Sequence, residues 1–229
     1  MPRDMTHGDP QAGDHIIALG GRTGRDGIHG ASFSSAELTD THADEFSHAV
    51  QIGNPITEKK TLDAILAARD HRDGCLYSAI TDCGAGGFSS AVGEMGEQLG
   101  ADVHLDRAPT KYDGLTPTEI WISEAQERMV LSVPADRIET LAAICDEYEV
   151  EWCDLGTFGT PDRELVLHYG GDEIGRLSMD FMHNGVPDRV RMASWTPIAP
   201  QPAGSVEPDI AATLHALVSH PNIASKQDI

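Results

Sequence analysis

The apolar positions of this chain fall into short, well-separated groups. Ile16-Ile17-Ala18-Leu19 stops at Gly20-Gly21, which predicts a buried strand. Leu62, Ile65 and Leu66 fall at helical spacing, predicting a helix over 57–70 with that face inward. Leu76 to Thr81 predicts a strand. The clearest helical stripe is Phe88, Ala91, Val92, Met95 and Leu99, predicting a helix over 88–99. Val103–Leu105 and Met129–Val133 predict strands. Asp136, with Glu139 three residues on, has the form of a capping box opening a helix that buries Ile138, Leu141, Ala142 and Cys145. Residues 151–192 predict several short strands with turns at Gly170-Gly171 and Asn184-Gly185. A Pro-rich irregular stretch, Pro197 to Pro208, precedes a last helix carrying Ile210, Leu214, Leu217 and Val218 on one face.

Helices and strands mix without strict βαβ alternation, which predicts an α+β domain: a mixed β-sheet packed with α-helices. No internal repeat or low-complexity tract interrupts it. Residues 1–14 are polar, with Pro2, Gly8, Pro10 and Gly13, and have the character of a connecting segment.

The composition narrows the function classes. The chain has 229 residues, 40% hydrophobic and 23% charged, a globular balance able to bury one large core. Sixteen Lys plus Arg stand against 37 Asp plus Glu, for a net charge of -21. Such a surface repels nucleic-acid backbones, though a local basic pocket for one phosphorylated small molecule remains compatible with it. No apolar run approaches the ~20 residues of a membrane helix, and the first residues show no signal-peptide pattern. Cys75, Cys83, Cys145 and Cys153 form no Cys-x-x-Cys pair or zinc pattern, so they are expected to be reduced, mostly buried thiols in a cytoplasmic protein. His29, His48, His104 and His183 fall in different predicted elements without a nucleophile signature, so no catalytic relay is expected.

Three segments can carry chemistry. In the first, Gly20 to Gly30, glycines recur every third residue from Gly21. Gly21, Gly24 and Gly27 can turn backbone N–H groups toward a phosphate, with Arg22 and Arg25 as a clamp. The alternative is a structural turn in which Asp26 pairs with one of the arginines. The segment has neither a P-loop ending nor a dinucleotide fingerprint. The second, Ile80 to Gly87, sets Asp82 at a strand end before a glycine-rich helix entry, a place for one carboxylate of a magnesium–phosphate site. Spacing alone favours Asp82 capping the next turn. The third, Ile120 to Met129, is a polar cluster in which Glu124 and Gln126 can hydrogen-bond a ligand, or else an exposed turn of salt-bridged side chains.

Together and in this order these strings are specific. Gly20 to Ser35, Val50-Gln51-Ile52-Gly53-Asn54-Pro55 with Glu58-Lys59, Thr81 to Gly87, and Ser123 to Met129 resemble the synthetase subunit or domain of the phosphoribosylformylglycinamidine synthase family, within the aminoimidazole ribonucleotide synthetase superfamily. The resemblance runs from about Gly13 to the C-terminus. It implies the C-terminal-type domain of the first synthetase repeat. Residues 1–13 are then a linker from an upstream domain, 14–195 the domain itself, and 196–229 a Pro-rich connection and final helix leading to a second repeat.

The resemblance also implies a reaction. ATP activates the formamide oxygen of formylglycinamide ribonucleotide, and ammonia from a glutaminase subunit or domain displaces phosphate to give the amidine. Magnesium and ATP are the implied cofactors. By match to the family's motifs, Gln51, Glu124, Ala125 and Gln126 bind substrate and Asp82 binds the metal. Ala125 stands where the family often has Ser. The family's catalytic His lies in the upstream domain, so no catalytic residue is expected in this segment and the chain alone is expected to be inactive. Two other readings accompany this one. One is a non-catalytic domain holding a structural nucleotide. The other is a superfamily relative with another phosphorylated substrate, favoured by Ala125 and opposed by Gln51 and Gln126.

Overall fold

The structure is a computed structural model that describes residues 8–28, 53–187, 191–195, 209–220 and 222–224. The chain divides into two compact units, residues 1–187 and 188–229. The first is built on a seven-stranded sheet. Its strands are β1 (His15–Gly20), β2 (Ala79–Asp82), β3 (Ala101–His104), β4 (Arg128–Val133), β5 (Trp152–Phe158), β6 (Glu164–Tyr169) and β7 (Asp172–Ser178), in spatial order β2-β4-β1-β5-β3-β6-β7. Every adjacent pair is antiparallel except β3 and β6. The helices are α1 (Pro55–Arg69), α2 (Phe88–Met95), α3 (Pro117–Ile122), α4 (Ile138–Glu147) and α5 (Met179–Asn184). This is the mixed sheet with helices expected from the sequence.

The unbroken apolar run of β1 has a direct cause. Ile16 and Ala18 enter a core with Phe88 and Val92 of α2, Ile120 of α3 and Met179 of α5. Ile17 and Leu19 point the other way, into a core with Ala64 and Ala68 of α1 and Leu141 and Cys145 of α4. A strand buried on both faces has no solvent side to mark with polar residues. Beyond β5 the second face turns polar: Asp102 and His104 of β3 and His168 of β6 lie there, half-buried.

Four expectations need correcting. The inward face of α1 is Thr61, Ala64 and Ala68, and Leu62 is exposed. Small residues let α1 sit close to the sheet, with Ile65 half-buried against the same core and Leu62 displaced to the edge. Asp136 does not cap α4: Ala135–Arg137 already form a 3-10 turn, Arg137 takes the cap position, and it makes no side-chain cap. Among the described residues the capping box is Thr116 with Glu119, at α3. Helix α2 stops at Met95, capped by Gly96, four residues short of Leu99. Asn184-Gly185 closes α5 instead of joining two strands, whereas Gly170 and Gly171, at φ 60 and 91°, do turn β6 into β7.

In the second unit, helix α6 (Ile210–Ser219) is capped by Asp209, whose carboxylate accepts from Ala212 N at 3.0 Å. Ile210, Leu214, Leu217 and Val218 are exposed on it. The Pro-rich stretch and Gln51 lie outside the described residues. All four cysteines are free thiols; Cys83 and Cys145 are buried, Cys75 and Cys153 half-buried.

Candidate functional site

Strand register brings the three chemical segments together. Gly20 ends β1 opposite Arg128, the first residue of β4. Asp82 ends β2 opposite Met129. Antiparallel pairing on both sides of β4 therefore stacks the Gly20 loop, the Asp82 turn and the Ser123–Arg128 segment at one end of the sheet.

A cleft of about 450 Å³ opens there. Asp82, Cys83 and Gly84 form one wall, Ala125 to Met129 another, and Glu58, Thr61, Leu62 and Ile65 of α1 a third. The apolar Leu62 and Ile65 of α1 thus line the cleft, with Ile80. Asp82 is exposed and among the described residues has no ion-pair or hydrogen-bond partner, so it does not cap its own turn. Glu124 Oε1 accepts from Gly86 N at 3.2 Å, and Glu124 N donates to Asp26 O at 2.8 Å, tying all three segments to one residue. Gln126 donates from Nε2 to Glu124 O at 3.1 Å. Ala125 is buried, its N–H directed to Ser123 Oγ at 3.3 Å and its carbonyl accepting from Arg128 Nε at 3.1 Å. The segment is not an exposed turn, since Ser123, Ala125 and Arg128 are all buried.

Arg128 holds the segment's shape. Its guanidinium lies 4.3 Å over the Phe88 ring and donates to Ala125 O, to Thr23 Oγ1 at 2.9 Å and to Ser123 O. Burial pulls its pKa below the ordinary arginine value. A five-donor planar fork suits this cage of fixed acceptors. Glycines supply the clearance. A Cβ on Gly87 would stand 1.9 Å from Ser123 O, and one on Gly20 would stand 1.9 Å from Glu127 O. Glu127 itself takes φ 58°, and its Oε1 accepts from Asn54 N at 2.8 Å, joining the segment to the start of α1.

The Gly20 loop spends its charges on the protein. Arg22 forks onto Glu151 at 2.7 and 2.6 Å. Arg25 pairs with Glu119 at 2.7 Å and lies over Tyr112. The two arginines hold Glu151 and Glu119 below the usual carboxylate range. Buried Asp26 pairs with Lys111 at 2.8 Å, not with either arginine. Gly21 N donates to Glu127 O at 3.0 Å, and Gly24 packs against Asp26 and Lys111. Gly27 takes φ 67° within the turn.

Two further residues shape the site without standing out along the chain, Arg128 and Thr61. The Thr61 hydroxyl is buried at the cleft and has no hydrogen-bond partner among the described residues. Neither position carries a sequence signal apart from the fold. As for magnesium, Asp82 fits one arm of a metal–phosphate site: it is an unpaired, solvent-facing carboxylate on the cleft wall. Magnesium ordinarily takes one or two carboxylates and fills its remaining positions with phosphate oxygens and water.

The family model for AIR synthase related protein, C-terminal domain, matches residues 11–168, and this chain belongs to that family. The phosphoribosylformylglycinamidine synthase subunit PurL of Methanothermobacter thermautotrophicus is 36% identical over 95% of this chain and 30% of its own length. That of Pyrococcus abyssi is 37% identical over 93% and 30%. The chain therefore spans about 30% of the length of these curated relatives. Among solved structures, Thermotoga maritima PurL complexed with FGAR superposes with a TM-score of 0.72 at 29% identity, covering 87% of this chain and 32% of that one. The ATP complex gives 0.68 at 26%, covering 87% and 31%. PurLQS from the same organism gives 0.69 at 26%, covering 90% and 32%.

Proposed function

We propose that this chain is the part of a phosphoribosylformylglycinamidine synthase that forms one wall of its substrate and nucleotide site. The parent enzyme converts formylglycinamide ribonucleotide, ATP and ammonia to the amidine, ADP and phosphate in purine biosynthesis. The observation that carries this reading is the meeting of Asp82, Ala125 and Gln126 at one cleft, from segments more than forty positions apart in the chain, with Glu124 tied to Gly86 of the Asp82 turn. Curated relatives with that activity and a structure titled as a complex with FGAR support it.

Each residue has a definite task. Glu124 and Gln126 offer hydrogen bonds to the polar substrate, joined by Gln51 from outside the described residues. The Thr61 hydroxyl is a donor left for a ligand. Leu62, Ile65 and Ile80 give the cleft a water-excluding side, on which polar contacts strengthen. Asp82 would hold one position of a magnesium ion, which would supply positive charge to the ATP phosphates. Arg128 positions Ser123 to Ala125 and touches no reactant. The Gly20 loop acts through shape, with Arg22 and Arg25 held by the protein's own carboxylates; a phosphate there would have to displace Glu151 or Glu119.

The remaining groups, including a catalytic histidine and a second repeat, belong to the portions of the relatives that this chain does not span, and ammonia comes from a glutaminase partner. Residues 1–13 and 196–229 are the connections to those portions. The protein works in the cytoplasm, where its four cysteines remain thiols. Among the described residues no helix is long and apolar enough to cross a membrane.

Titration of formylglycinamide ribonucleotide into the chain tests the assignment. Glu124→Ala and Gln126→Ala are expected to weaken binding at least ~10-fold, the loss of one or two hydrogen bonds to a polar ligand. Binding that survives both changes intact would remove the segment from the substrate site.

A further inference from the structure

Three potential metal ligands meet on the polar half of the sheet, and none of them lines the cleft. Asp102 and His104 are two residues apart on β3 and share a face, while Ala101 and Val103 face the core. His168 stands directly opposite His104 in the parallel β3–β6 register. The two imidazoles stack with centroids 4.8 Å apart and 18° between planes. Asp102 bridges them, Oδ1 lying 3.3 Å from His104 Nε2 and Oδ2 3.3 Å from His168 Nε2. One donor atom from each side chain falls within 4.8 Å of the other two. The side chains of Asp102, His104 and His168 are 40, 32 and 21% exposed, open enough for an ion to enter.

We propose that Asp102, His104 and His168 bind one divalent transition-metal ion, zinc foremost, which clips β3 to β6. The donor set decides the class of ion. Two imidazole nitrogens and one carboxylate oxygen suit zinc, cobalt or nickel, whereas magnesium and calcium take oxygens. Tetrahedral zinc with bonds of ~2.0–2.1 Å keeps its ligand atoms about 3.4 Å apart. Each imidazole already stands at about that distance from one oxygen of Asp102, so a small turn of the carboxylate and a closer approach of the two imidazoles complete the set. Glu173, opposite His168 in the β6–β7 register, is held by Arg176 at 2.7 Å, which leaves the fourth position to water. The site is independent of the cleft and of any reading of its substrate.

The test is calorimetric titration of zinc into the chelator-stripped 229-residue chain, with imidazole ¹H–¹⁵N spectra as a second readout. Zinc is expected to bind at one ion per chain and to shift the Nε2 resonances of His104 and His168. Asp102→Asn, His104→Ala and His168→Ala should each weaken binding at least ~10-fold, while His183→Gln leaves it unchanged. Excess magnesium should not displace the zinc. The proposal is overturned if no saturable binding is seen, if all three variants bind as the parent does, or if the Nε2 resonances of His104 and His168 stay put. The last criterion needs only the wild-type chain, so a variant that fails to fold does not blunt the test.

Discussion

Two glycine-rich segments end adjacent parts of the same sheet, and they spend their polar groups in opposite ways. In the loop after β1, Arg22, Arg25 and Asp26 are all engaged by Glu151, Glu119 and Lys111, and Gly21 N by a backbone carbonyl. In the turn after β2, Asp82 is unpaired among the described residues while Gly87 lets the chain press against Ser123 O. Both look like phosphate cradles as strings. Folded, the first is a brace and the second presents an open carboxylate. Glycine content marks close approach; the partners of the charged neighbours decide whether a segment can take a ligand.

That contrast can be broken at several points. The largest effect is expected at the residue joining the two segments. Arg128→Ala strands Thr23 Oγ1 and the carbonyls of Ser123 and Ala125 and opens a void beside Phe88. Denaturant unfolding should show a loss of about 3 kcal/mol or more. Arg128→Lys should recover less than half of it, because an ammonium cannot span the three acceptors. Full recovery would mean that charge, not the planar fork, holds the segment.

Next come paired glycine changes. Gly87→Ala faces a backbone oxygen at 1.9 Å from a residue at φ 57°, and should cost at least ~2 kcal/mol. Gly24→Ala meets only the movable ends of Asp26 and Lys111, at 2.6 and 2.8 Å, and should cost ~1 kcal/mol or less. Equal costs would erase the distinction between brace and turn.

The smallest changes in stability are expected at the surface charges. Arg22→Ala and Asp82→Asn should leave the melting temperature nearly where it was, since a surface ion pair contributes little and Asp82 has no pair to lose. The two should differ in ligand response: magnesium-ATP protection against unfolding is lost in Asp82→Asn and kept in Arg22→Ala. The reverse pattern would move the phosphate site to the first loop. Finally, burial raises the Cys83 thiol to about 11. It stays protonated as pH rises through 9, so iodoacetamide should label it more slowly than half-buried Cys75. Faster labelling of Cys83 would show the turn opening.

Much of this was legible along the chain. The apolar run of β1, the stripe of α2 and the turn at Gly170-Gly171 each declared themselves, because their periods and glycines answer to local geometry. The face of α1 did not: Leu62 and Ile65 form the stronger apolar stripe, yet Ala64 and Ala68 face the sheet, where closeness matters more than size. Asp136 and Glu139 matched a capping pattern that the 3-10 turn pre-empts. At the cleft, Asp82, Ala125 and Gln126 had been singled out by their strings, Glu124 lies beside it against Gly86, and Gln51 lies outside the described residues. The role of Arg128 could not be seen, since its acceptors come from Thr23 and from its own segment only after β1 and β4 pair. His168 was not singled out for the same reason: the parallel β3–β6 register that sets it opposite His104 is a fact of topology.

The central claim is that the Asp82 turn, the Glu124–Arg128 segment and one face of α1 make one ligand site at the end of β2 and β4. Backbone amide NMR of the chain, titrated with formylglycinamide ribonucleotide, tests it most directly. The account predicts shifts concentrated at Asp82–Gly87, Glu124–Arg128 and Thr61–Ile65, with Asp102, His104 and His168 unmoved. Shifts confined to other parts of the sheet, with those three segments silent under saturating ligand, would contradict it.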